Sequence, residues 1–417
     1  MSKSFIIIGI SDAEEVRLSE DVREAIASHC IFSGGKRHRQ LVRQHLPEDA
    51  VWIDITVPLQ QVFEKYRLYS DTIVVFASGD PLFYGFANTL LRVLPDAEIQ
   101  VFPTFHSLQM LAHRMVIPYH DMHHVTLTGR SWHAFDAALL QGYSLIGVLT
   151  DGTHTPAAIA ERMIDYGYDY YRMTVGEHLG NEKKERITTG ILQEITQQSF
   201  GMPNCVILQS KEQAKRRIIP LGIPETDFTL LDGREKMITK APIRLLTLMA
   251  LELRDKQSFW DIGFCTGSVS IEAKRLFPQL HITAFEIRQE GRQLMEMNSH
   301  RFGTPGIKTL ITDFLSEDLD TLLSEDKKCP PPDAIFIGGH GGRLREMIEK
   351  AVNYLAPGGV VVYNCVVPES TTDERIRRDS RQIFEETAQR LGMHLCPAQC
   401  VTINDYHPIQ ILKFIKP

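Results

Sequence analysis

The sequence contains no apolar run long enough to cross a membrane. Its longest apolar stretches, such as residues 5–10 and 360–363, fall far short of the roughly 18 residues that a spanning helix needs. Acidic residues follow the first stretch from Asp12 onwards, so it is predicted as a strand and not as a signal peptide. We therefore expect no association with a membrane.

Cysteine is scarce as well. Seven cysteines spread over 417 residues do not form a disulfide framework, and an odd number leaves one unpaired. Reduced thiols in a cytoplasmic protein are the simpler explanation. His394, Cys396 and Cys400 lie close together, but no second ligand pair follows at the spacing of a zinc site. We predict no metal site.

An excess of positive charge is also missing. The chain has 45 Lys and Arg against 52 Asp and Glu, a formal net charge of −7. This balance argues against broad, charge-driven binding to nucleic acid. A composition of 43% hydrophobic and 23% charged residues is that of an ordinary globular protein. At about 150 residues per domain, the length predicts two or three domains.

Short β-rich runs alternate with helical patterns in both halves of the chain. This alternation predicts an α/β fold with a mostly parallel sheet in each half. Strands are predicted in the first half at 4–10, 72–77, 98–102, 125–128 and 144–149, and in the second at 258–262, 281–286, 308–312, 334–337 and 360–364. After a long polar helix at 369–391, we expect the apolar runs 393–401 and 409–415 to form a hairpin through Asn404 and Asp405.

The alternation breaks between Lys211 and Pro224, where lysine, arginine, proline and glycine accumulate. Such a composition is typical of an exposed linker. We therefore predict a first domain at 1–210, a linker at 211–225 and a second domain at 226–417.

The second half carries a glycine loop between a strand and a helix, Phe-Trp-Asp-Ile-Gly-Phe-Cys-Thr-Gly at 259–267. Glycine at 263 permits a sharp turn, and glycine at 267 permits a ligand to approach the helix N-terminus. Glu286 ends the next strand 23 positions after Gly263, where an acid that grips ribose hydroxyls belongs. Asp313 follows the third strand at the same edge of the sheet. The arrangement predicts a nucleotide site.

The loop does not have the glycines of a nicotinamide enzyme, because Cys265 stands where the middle glycine of Gly-x-Gly-x-x-Gly belongs. Asp261, Gly263, Gly267 and Glu286 instead resemble the class I S-adenosylmethionine-dependent methyltransferases. The fourth strand runs into Gly-Gly-His-Gly-Gly at 338–342 and has no Asn-Pro-Pro-aromatic motif. A nucleic-acid base is therefore a disfavoured substrate.

The first half contains Phe-Ala-Ser-Gly-Asp-Pro-Leu-Phe-Tyr-Gly at 76–85, a tight loop after a predicted strand. This loop and the stretches 5–10, 33–38, 103–109 and 149–156 resemble the tetrapyrrole (corrin and porphyrin) methylases over residues 4–208. The chain departs from many of them after its first strand, where a Gly-Pro-Gly run is missing. We assign that turn no role.

The second half resembles the decarboxylating corrin methyltransferases through Asp232–Lys240, the glycine loop and Ile337–Gly342. The two resemblances, in this order on one chain, imply a tetrapyrrole-methylase-like α/β domain fused to a Rossmann-like class I methyltransferase domain. They imply a bifunctional enzyme of cobalamin biosynthesis that methylates carbons 5 and 15 of a precorrin-6 type tetrapyrrole and decarboxylates a ring acetate.

The resemblance also implies one S-adenosylmethionine site in each domain. The implied cofactor residues are Ser78, Gly79, Asp80, Pro81 and Ser107 in the first domain, and Thr239, Gly263, Phe264, Cys265, Thr266, Gly267, Glu286 and Asp313 in the second. The bridging carbons of a reduced tetrapyrrole are themselves nucleophiles, so positioning and water exclusion are what the protein supplies. We name no catalytic acid or base.

A tetrapyrrole of this kind carries many carboxylates, so binding to an acidic protein needs local cations. One short stretch carries Lys36, Arg37, His38, Arg39 and Arg43, and the second glycine cluster contains His340 and is followed by Arg343 and Arg345. Arginine suits carboxylates because it binds them bidentately. The alternative for the first group is a solvated basic helix face.

Two other functions stay open at this stage. One is an NAD(P)-dependent tetrapyrrole oxidoreductase on the same fold, and the other is a single-site methyltransferase with a non-catalytic N-terminal docking domain. The sequence does not decide whether the ring holds cobalt, or the order of the two methylations. We expect a homo-oligomer.

Overall fold

A computed structural model describes residues 3–13, 16–210, 219–234, 237–316, 318–324, 330–366, 374–404 and 408–417. The chain forms two compact units. The first comprises Met1–Arg130, Tyr143–Ile164 and Asp169–Gln213, and the second comprises Ser131–Gly142, Asp165–Tyr168 and Ala214–Pro417. Residues 211–218 of the predicted linker lie outside the described residues, and the predicted domain limits stay a prediction.

The first unit begins with a parallel sheet in the order β3-β2-β4-β1-β5. Its strands are β1 (Ser4–Ile10), β2 (Ile31–Gly34), β3 (Val51–Asp54), β4 (Ile73–Ser78) and β5 (Glu98–Phe102). Its helices are α1 (Glu20–Ala27), α2 (Lys36–Val42), α3 (Leu59–Arg67), α4 (Phe86–Val93) and α5 (Ser107–Met115). The central strands β1 and β4 are apolar on both faces, as expected for a sheet with helices on both sides.

A second sheet in this unit has the order β6-β7-β10-β8-β9. Its strands are β6 (His123–Thr126), β7 (Leu145–Leu149), β8 (Tyr171–Glu177), β9 (Arg186–Ile191) and β10 (Asn204–Ser210), with helices α7 (Pro156–Asp165) and α8 (Leu192–Ile195). Only the pair β6–β7 is parallel here, and the other pairs are antiparallel. The expected parallel sheet is therefore wrong for this part, because a loop and not a helix joins β8 to β9.

The second unit has a sheet in the order β13-β12-β11-β14-β15-β18-β16, with β17 paired to β18. Its strands are β11 (Ser258–Ile262), β12 (His281–Glu286), β13 (Ile307–Ile311), β14 (Ala334–Ile337), β15 (Val360–Val366), β16 (His394–Leu395), β17 (Gln399–Val401) and β18 (Ile409–Ile415). Its helices are α6 (His133–Gln141), α9 (Ala241–Leu251), α10 (Ser268–Leu276), α11 (Glu290–Arg301), α12 (Leu319–Ser324), α13 (Leu344–Tyr354) and α14 (Glu374–Arg390).

The connections of this sheet determine where a ligand can bind. The chain moves outwards from β11 to β12 and β13, and then returns to the other side of β11 as β14. Ligands of open parallel sheets bind at the carboxyl ends of the strands where the order reverses, which here is between β11 and β14. The predicted hairpin at the end is present as the antiparallel pair β17–β18, although Asp405 of its turn lies outside the described residues.

Apolar side chains fill both faces of the second sheet. Trp260 and Ile262 pack on one face towards α13 and α14, while Phe259 and Phe336 pack on the other towards α9 and α10. All four are almost completely buried, so β11 is a rigid support for the loop that follows it. Among the described residues, none of the helices combines the length and the apolar character of a membrane span.

Candidate active sites

The glycine loop after β11 passes directly against the Gly-Gly-His loop after β14. Gly263 has φ +77°, and a Cβ atom placed there would lie 2.7 Å from the backbone nitrogen of Gly339. Gly267 has φ +76° and precedes the first residue of α10. Cys265 also has a positive φ, 53°, although it is not a glycine. The loop therefore needs left-handed backbone at three of its positions.

Two adjoining cavities open at this point. The larger, which we call the main cavity, has a volume of about 690 Å³, and the smaller, the side cavity, has about 310 Å³. Gly263, Arg288 and Gly339 line both. The main cavity is lined by the predicted cofactor residues Thr239, Phe264, Cys265 and Thr266, and the side cavity by Glu286 and Asp313. Gly267, a described residue, lines neither.

Glu286 holds the glycine loop in place. One carboxylate oxygen, Oε2, accepts a hydrogen bond from the Cys265 backbone N–H at 2.9 Å. The other, Oε1, accepts one from the Arg288 N–H at 3.1 Å, and the Arg288 guanidinium binds both oxygens at 2.9 Å. Burial opposes ionisation of Glu286, but these hydrogen bonds outweigh it and hold its pKa below the usual range. The carboxylate is therefore ionised.

Three buried oxygens around the cavities have no hydrogen-bond partner in the described part of the chain. They are Asp261 Oδ1, Thr266 Oγ1 and Thr312 Oγ1. Asp261 and Thr266 line the main cavity and Thr312 lines the side cavity. Burial raises the pKa of Asp261 to about 7, even though its Oδ2 accepts a hydrogen bond from the Ser270 hydroxyl at 2.6 Å. Unsatisfied buried oxygens are costly, so these positions fit a ligand that donates hydrogen bonds.

His340 and Arg343, predicted for the substrate, lie beside the predicted cofactor acids in the side cavity. The His340 Nδ1 accepts a hydrogen bond from the Gly342 N–H at 3.1 Å, and its Nε2 lies 3.2 Å from the Tyr363 hydroxyl. Burial lowers the pKa of His340, so the ring is neutral. Arg343 lies 3.8 Å from Asp313 and 2.6 Å from Glu346.

Asn364 is a lining residue of the main cavity that the sequence did not single out. The Thr247 hydroxyl donates to the Ile243 carbonyl at 2.8 Å, so it can only accept from the Asn364 amide, also at 2.8 Å. This contact fixes the orientation of the Asn364 amide, with its nitrogen towards Thr247. The available signal was its position, because Asn364 follows the apolar residues 360–363 at the carboxyl end of β15.

The first unit has its own cavity, of about 530 Å³, between the ends of β1 and β4 and the second sheet. Ser78, Gly79 and Ser107 line it as predicted, whereas Asp80 and Pro81, which the structure describes, do not. Asp80 instead accepts a hydrogen bond from the Leu82 N–H at 2.9 Å and shapes the turn.

Arg37 is the predicted basic residue that reaches this cavity. Its guanidinium lies 2.5 Å from Asp12 and donates to the Ser78 hydroxyl at 2.9 Å. His38 lies 3.0 Å from the same hydroxyl, and burial, followed by the charge of Arg37, lowers its pKa to about 4. His38 belongs to the basic stretch that the sequence indicated, whereas Asp12 was missed as a site residue, because the turn after the first strand was assigned no role.

Two other residues of the basic stretch do not line this cavity. Lys36 and Arg39 are not among the described residues that line the first-unit cavity, and the Arg39 guanidinium lies 5.8 Å from the centre of the Trp52 ring. The structure thus separates Arg37 and His38 from Lys36 and Arg39 on the same helix. The proposed role of Lys36 and Arg39 in binding substrate has no support from this geometry.

Two family models match the chain, one in each half. A model described as tetrapyrrole (corrin/porphyrin) methylases matches residues 5–196, and one described as a precorrin methyltransferase domain matches residues 232–390. A precorrin-6Y C(5,15)-methyltransferase [decarboxylating] of Sinorhizobium sp is 32% identical over 369 residues, which cover 88% of this chain and 84% of the relative. The chain belongs to the precorrin-6Y C(5,15)-methyltransferase (decarboxylating) family.

Further relatives match either most of this chain or about a third of it. A precorrin-6Y C(5,15)-methyltransferase [decarboxylating] of Mycobacterium tuberculosis (strain CDC 1551 / Oshkosh) is 26% identical, and the alignment covers 88% of each chain. A cobalt-precorrin-6B C(15)-methyltransferase (decarboxylating) of Salmonella typhimurium is 35% identical over 144 residues, 34% of this chain and 70% of the relative.

Members of the precorrin-6Y methyltransferase family use S-adenosylmethionine, and the second-unit cavities fit it chemically. The cofactor carries an ammonium group and ribose hydroxyls, which are hydrogen-bond donors. The unpartnered oxygens of Asp261, Thr266 and Thr312 are acceptors. Gly263 lets the glycine loop pass close to Gly339, because a side chain at position 263 would collide with the Gly339 backbone.

Proposed function

We propose that this chain transfers methyl groups from S-adenosylmethionine to carbons 5 and 15 of a precorrin-6 type tetrapyrrole and releases the carboxyl group of a ring acetate as carbon dioxide. The observation that carries this proposal is the 32% identity to a relative of that name across both halves of the chain. Each unit has a cavity beside a glycine-containing loop at a strand end, which supports one methylation in each unit.

In the second unit, the glycine loop and the acids after β12 and β13 would hold the cofactor. Gly263–Thr266 would line the site of the cofactor, with Glu286 towards the ribose and Asp313 towards the base, and Gly267 would act by starting α10. Thr239 would complete the main cavity. Because His340 and Arg343 share the side cavity with both acids, we now propose that they contact the cofactor and not the substrate.

In the first unit, Ser78, Gly79 and Ser107 would hold the cofactor, and Asp80 and Pro81 would act by shaping the loop. Gly79 has φ +62°, and a Cβ atom there would lie 2.9 Å from the His106 Cα. Arg37 and His38 bring cationic and polar groups to the same cavity. A carboxylate of the tetrapyrrole is a suitable ligand for Arg37, whose own partner is Asp12.

S-adenosylmethionine, when bound, supplies an electrophilic methyl group, and the bridging carbon of the reduced tetrapyrrole supplies the electron pair. The protein must therefore orient the substrate and keep water out. The main cavity suits both tasks, because Phe264, Val269 and Phe336 give it apolar walls. Asn364, held by Thr247, offers one fixed polar group at a strand end.

Decarboxylation needs an electron sink more than a basic residue. A methylated bridge leaves the neighbouring ring able to form an iminium, so the electron pair of the acetate C–C bond has a place to go. The proton that the acetate carbon then takes comes from solvent or an acid that we do not name. We also propose that the enzyme is cytoplasmic and forms a homo-oligomer.

The test is to incubate the full chain with S-adenosylmethionine and metal-free precorrin-6Y, without oxygen, and to measure product mass and released carbon dioxide. Two methyl additions and carbon dioxide are expected. Gly267→Val should remove one methylation together with carbon dioxide release, and Asp80→Ala should remove the other methylation alone. Both variants must first be shown to fold, because glycine and turn positions also fail structurally.

The outcomes separate the alternatives. A folded Gly267→Val chain that still releases carbon dioxide at the normal rate would contradict the division between the units. Binding of one S-adenosylhomocysteine per chain, and not two, would favour a non-catalytic first unit. Tight binding of NADPH in place of S-adenosylhomocysteine would favour an oxidoreductase.

A further inference from the structure

Glu286 has no acceptor position left for a ligand. A carboxylate has about four lone-pair positions. Two of them are taken by the backbone N–H groups of Cys265 and Arg288, and the other two by Nε and a terminal nitrogen of the Arg288 guanidinium. The Glu286 side chain is only 2% exposed, so water does not replace any of these four hydrogen bonds.

This arrangement conflicts with the proposed role of Glu286, on which the inference rests. Ribose hydroxyls need acceptor positions on that carboxylate. The backbone N–H groups are fixed by the glycine loop and by the end of β12, so they stay. The Arg288 guanidinium is 36% exposed and sits on a flexible side chain, and it is the partner that can leave.

The released guanidinium would face the main cavity, in which we propose that the tetrapyrrole is oriented for methyl transfer. Arg288 lines both the main and the side cavity, and the other described cation that lines the main cavity is Lys240. While Arg288 is paired with Glu286, its charge is neutralised. Once the ribose replaces it, the main cavity gains one full positive charge, and the substrate carries many carboxylates.

We propose that Arg288 is a substrate-positioning residue that binds a tetrapyrrole carboxylate only after the cofactor ribose has displaced it from Glu286. Cofactor binding then assembles the substrate site. The two ligands bind with positive coupling, and each raises the affinity of the other by the same factor. In the free enzyme, the ion pair keeps the glycine loop ordered and the cation shielded.

The test measures this coupling on the full chain by titration calorimetry under anaerobic conditions. The probes are S-adenosylhomocysteine, which cannot react, and metal-free precorrin-6Y, each titrated with and without the other. We expect S-adenosylhomocysteine to raise the affinity of the wild-type chain for precorrin-6Y about tenfold, the usual size of one charge-assisted contact. In Arg288→Gln, this factor should fall close to one, while S-adenosylhomocysteine binds at least as tightly as before.

Two further variants make the result specific. Arg288→Lys keeps the positive charge, so it should retain most of the affinity for precorrin-6Y in the presence of S-adenosylhomocysteine. Arg381→Gln is the matched control, because Arg381 is an exposed arginine of the same unit that pairs with Glu385 at 2.7 Å. It should leave both affinities and the coupling unchanged.

The inference is wrong if wild-type affinity for precorrin-6Y does not depend on S-adenosylhomocysteine, or if folded Arg288→Gln keeps the wild-type factor within about twofold. Weaker S-adenosylhomocysteine binding by Arg288→Gln would also overturn it, since Arg288 would then be a cofactor ligand. Failure of the proposed function looks different. In that case, the wild-type chain binds no S-adenosylhomocysteine at all.

Discussion

Gly263 is the position where the second-unit site depends most directly on the absence of a side chain. Its φ is +77°, and a Cβ atom there would lie 2.7, 2.9 and 3.0 Å from the N, O and Cα atoms of Gly339. These are backbone atoms and cannot rotate away. Gly341 provides a matched control, because its φ is also positive, +54°, but a Cβ atom there would meet nothing within 4 Å.

In their effect on stability, the two substitutions to alanine should therefore differ by the collision alone. Left-handed backbone costs an L-residue about 1–2 kcal/mol. Overpacking against a rigid neighbour adds about 1–3 kcal/mol. We expect Gly341→Ala to lose about 1–2 kcal/mol of stability, and Gly263→Ala to lose about 2–5 kcal/mol. Since the collision pushes the two loops apart, Gly263→Ala should also weaken S-adenosylhomocysteine binding about tenfold.

The stability difference can be measured by hydrogen exchange of the backbone amides in β11, which reports on the second unit directly. Affinity follows from calorimetry on the same proteins. Equal loss of protection in the two variants would refute the argument from the Gly339 collision. A destabilised Gly263→Ala chain that binds S-adenosylhomocysteine like the wild type would show that the crossing of the loops is not part of the site.

Three other perturbations test separate parts of the description. Glu286→Ala should weaken S-adenosylhomocysteine binding to the second unit by about 1–3 kcal/mol, and unchanged affinity by calorimetry would exclude the ribose role. Burial raises the pKa of Asp261 to about 7, so the folded state retains a proton that the unfolded state has lost. Stability should therefore fall as the pH rises from about 4 to about 7, and urea titrations of Asp261→Asn should show a smaller fall. A cut between Lys211 and Pro224 should yield two folded fragments, and unfolded circular dichroism spectra of both would place the boundary elsewhere.

The strands of the second unit were predictable because their burial is written in the sequence. The predicted limits of β11, β12 and β14 agree with those of the structure. Strands buried on both faces appear as short, continuous apolar runs between turn residues. Gly263 and Gly267 have positive φ, which strains other residues, so glycine at these positions is visible in the sequence. The sequence therefore indicated the loop that lines the main cavity.

The first unit was less predictable because its second sheet is mostly antiparallel and has an exposed edge strand. β9 is mostly exposed, so its sequence has little apolar signal. The site residues of the second unit that the sequence did not indicate have a different explanation. The roles of Arg288 and Asn364 depend on contacts with Glu286 and Thr247, and the spacing of residues along one element does not contain such contacts between side chains.

The candidate sites of the two units share two features, although they lie on different sheets. In each, a glycine with positive φ follows a central strand and lies against the backbone of a neighbouring loop, at Gly79 and at Gly263. In each, an arginine beside that glycine is paired with a carboxylate, at 2.5 Å from Asp12 and at 2.9 Å from Glu286. A chain with net charge −7 can thus keep cations ready for a polyanionic substrate without leaving them unpaired in the free enzyme. If the pairing at Glu286 is exchanged on cofactor binding, the pairing at Asp12 is the first place to look for the same exchange in the other unit.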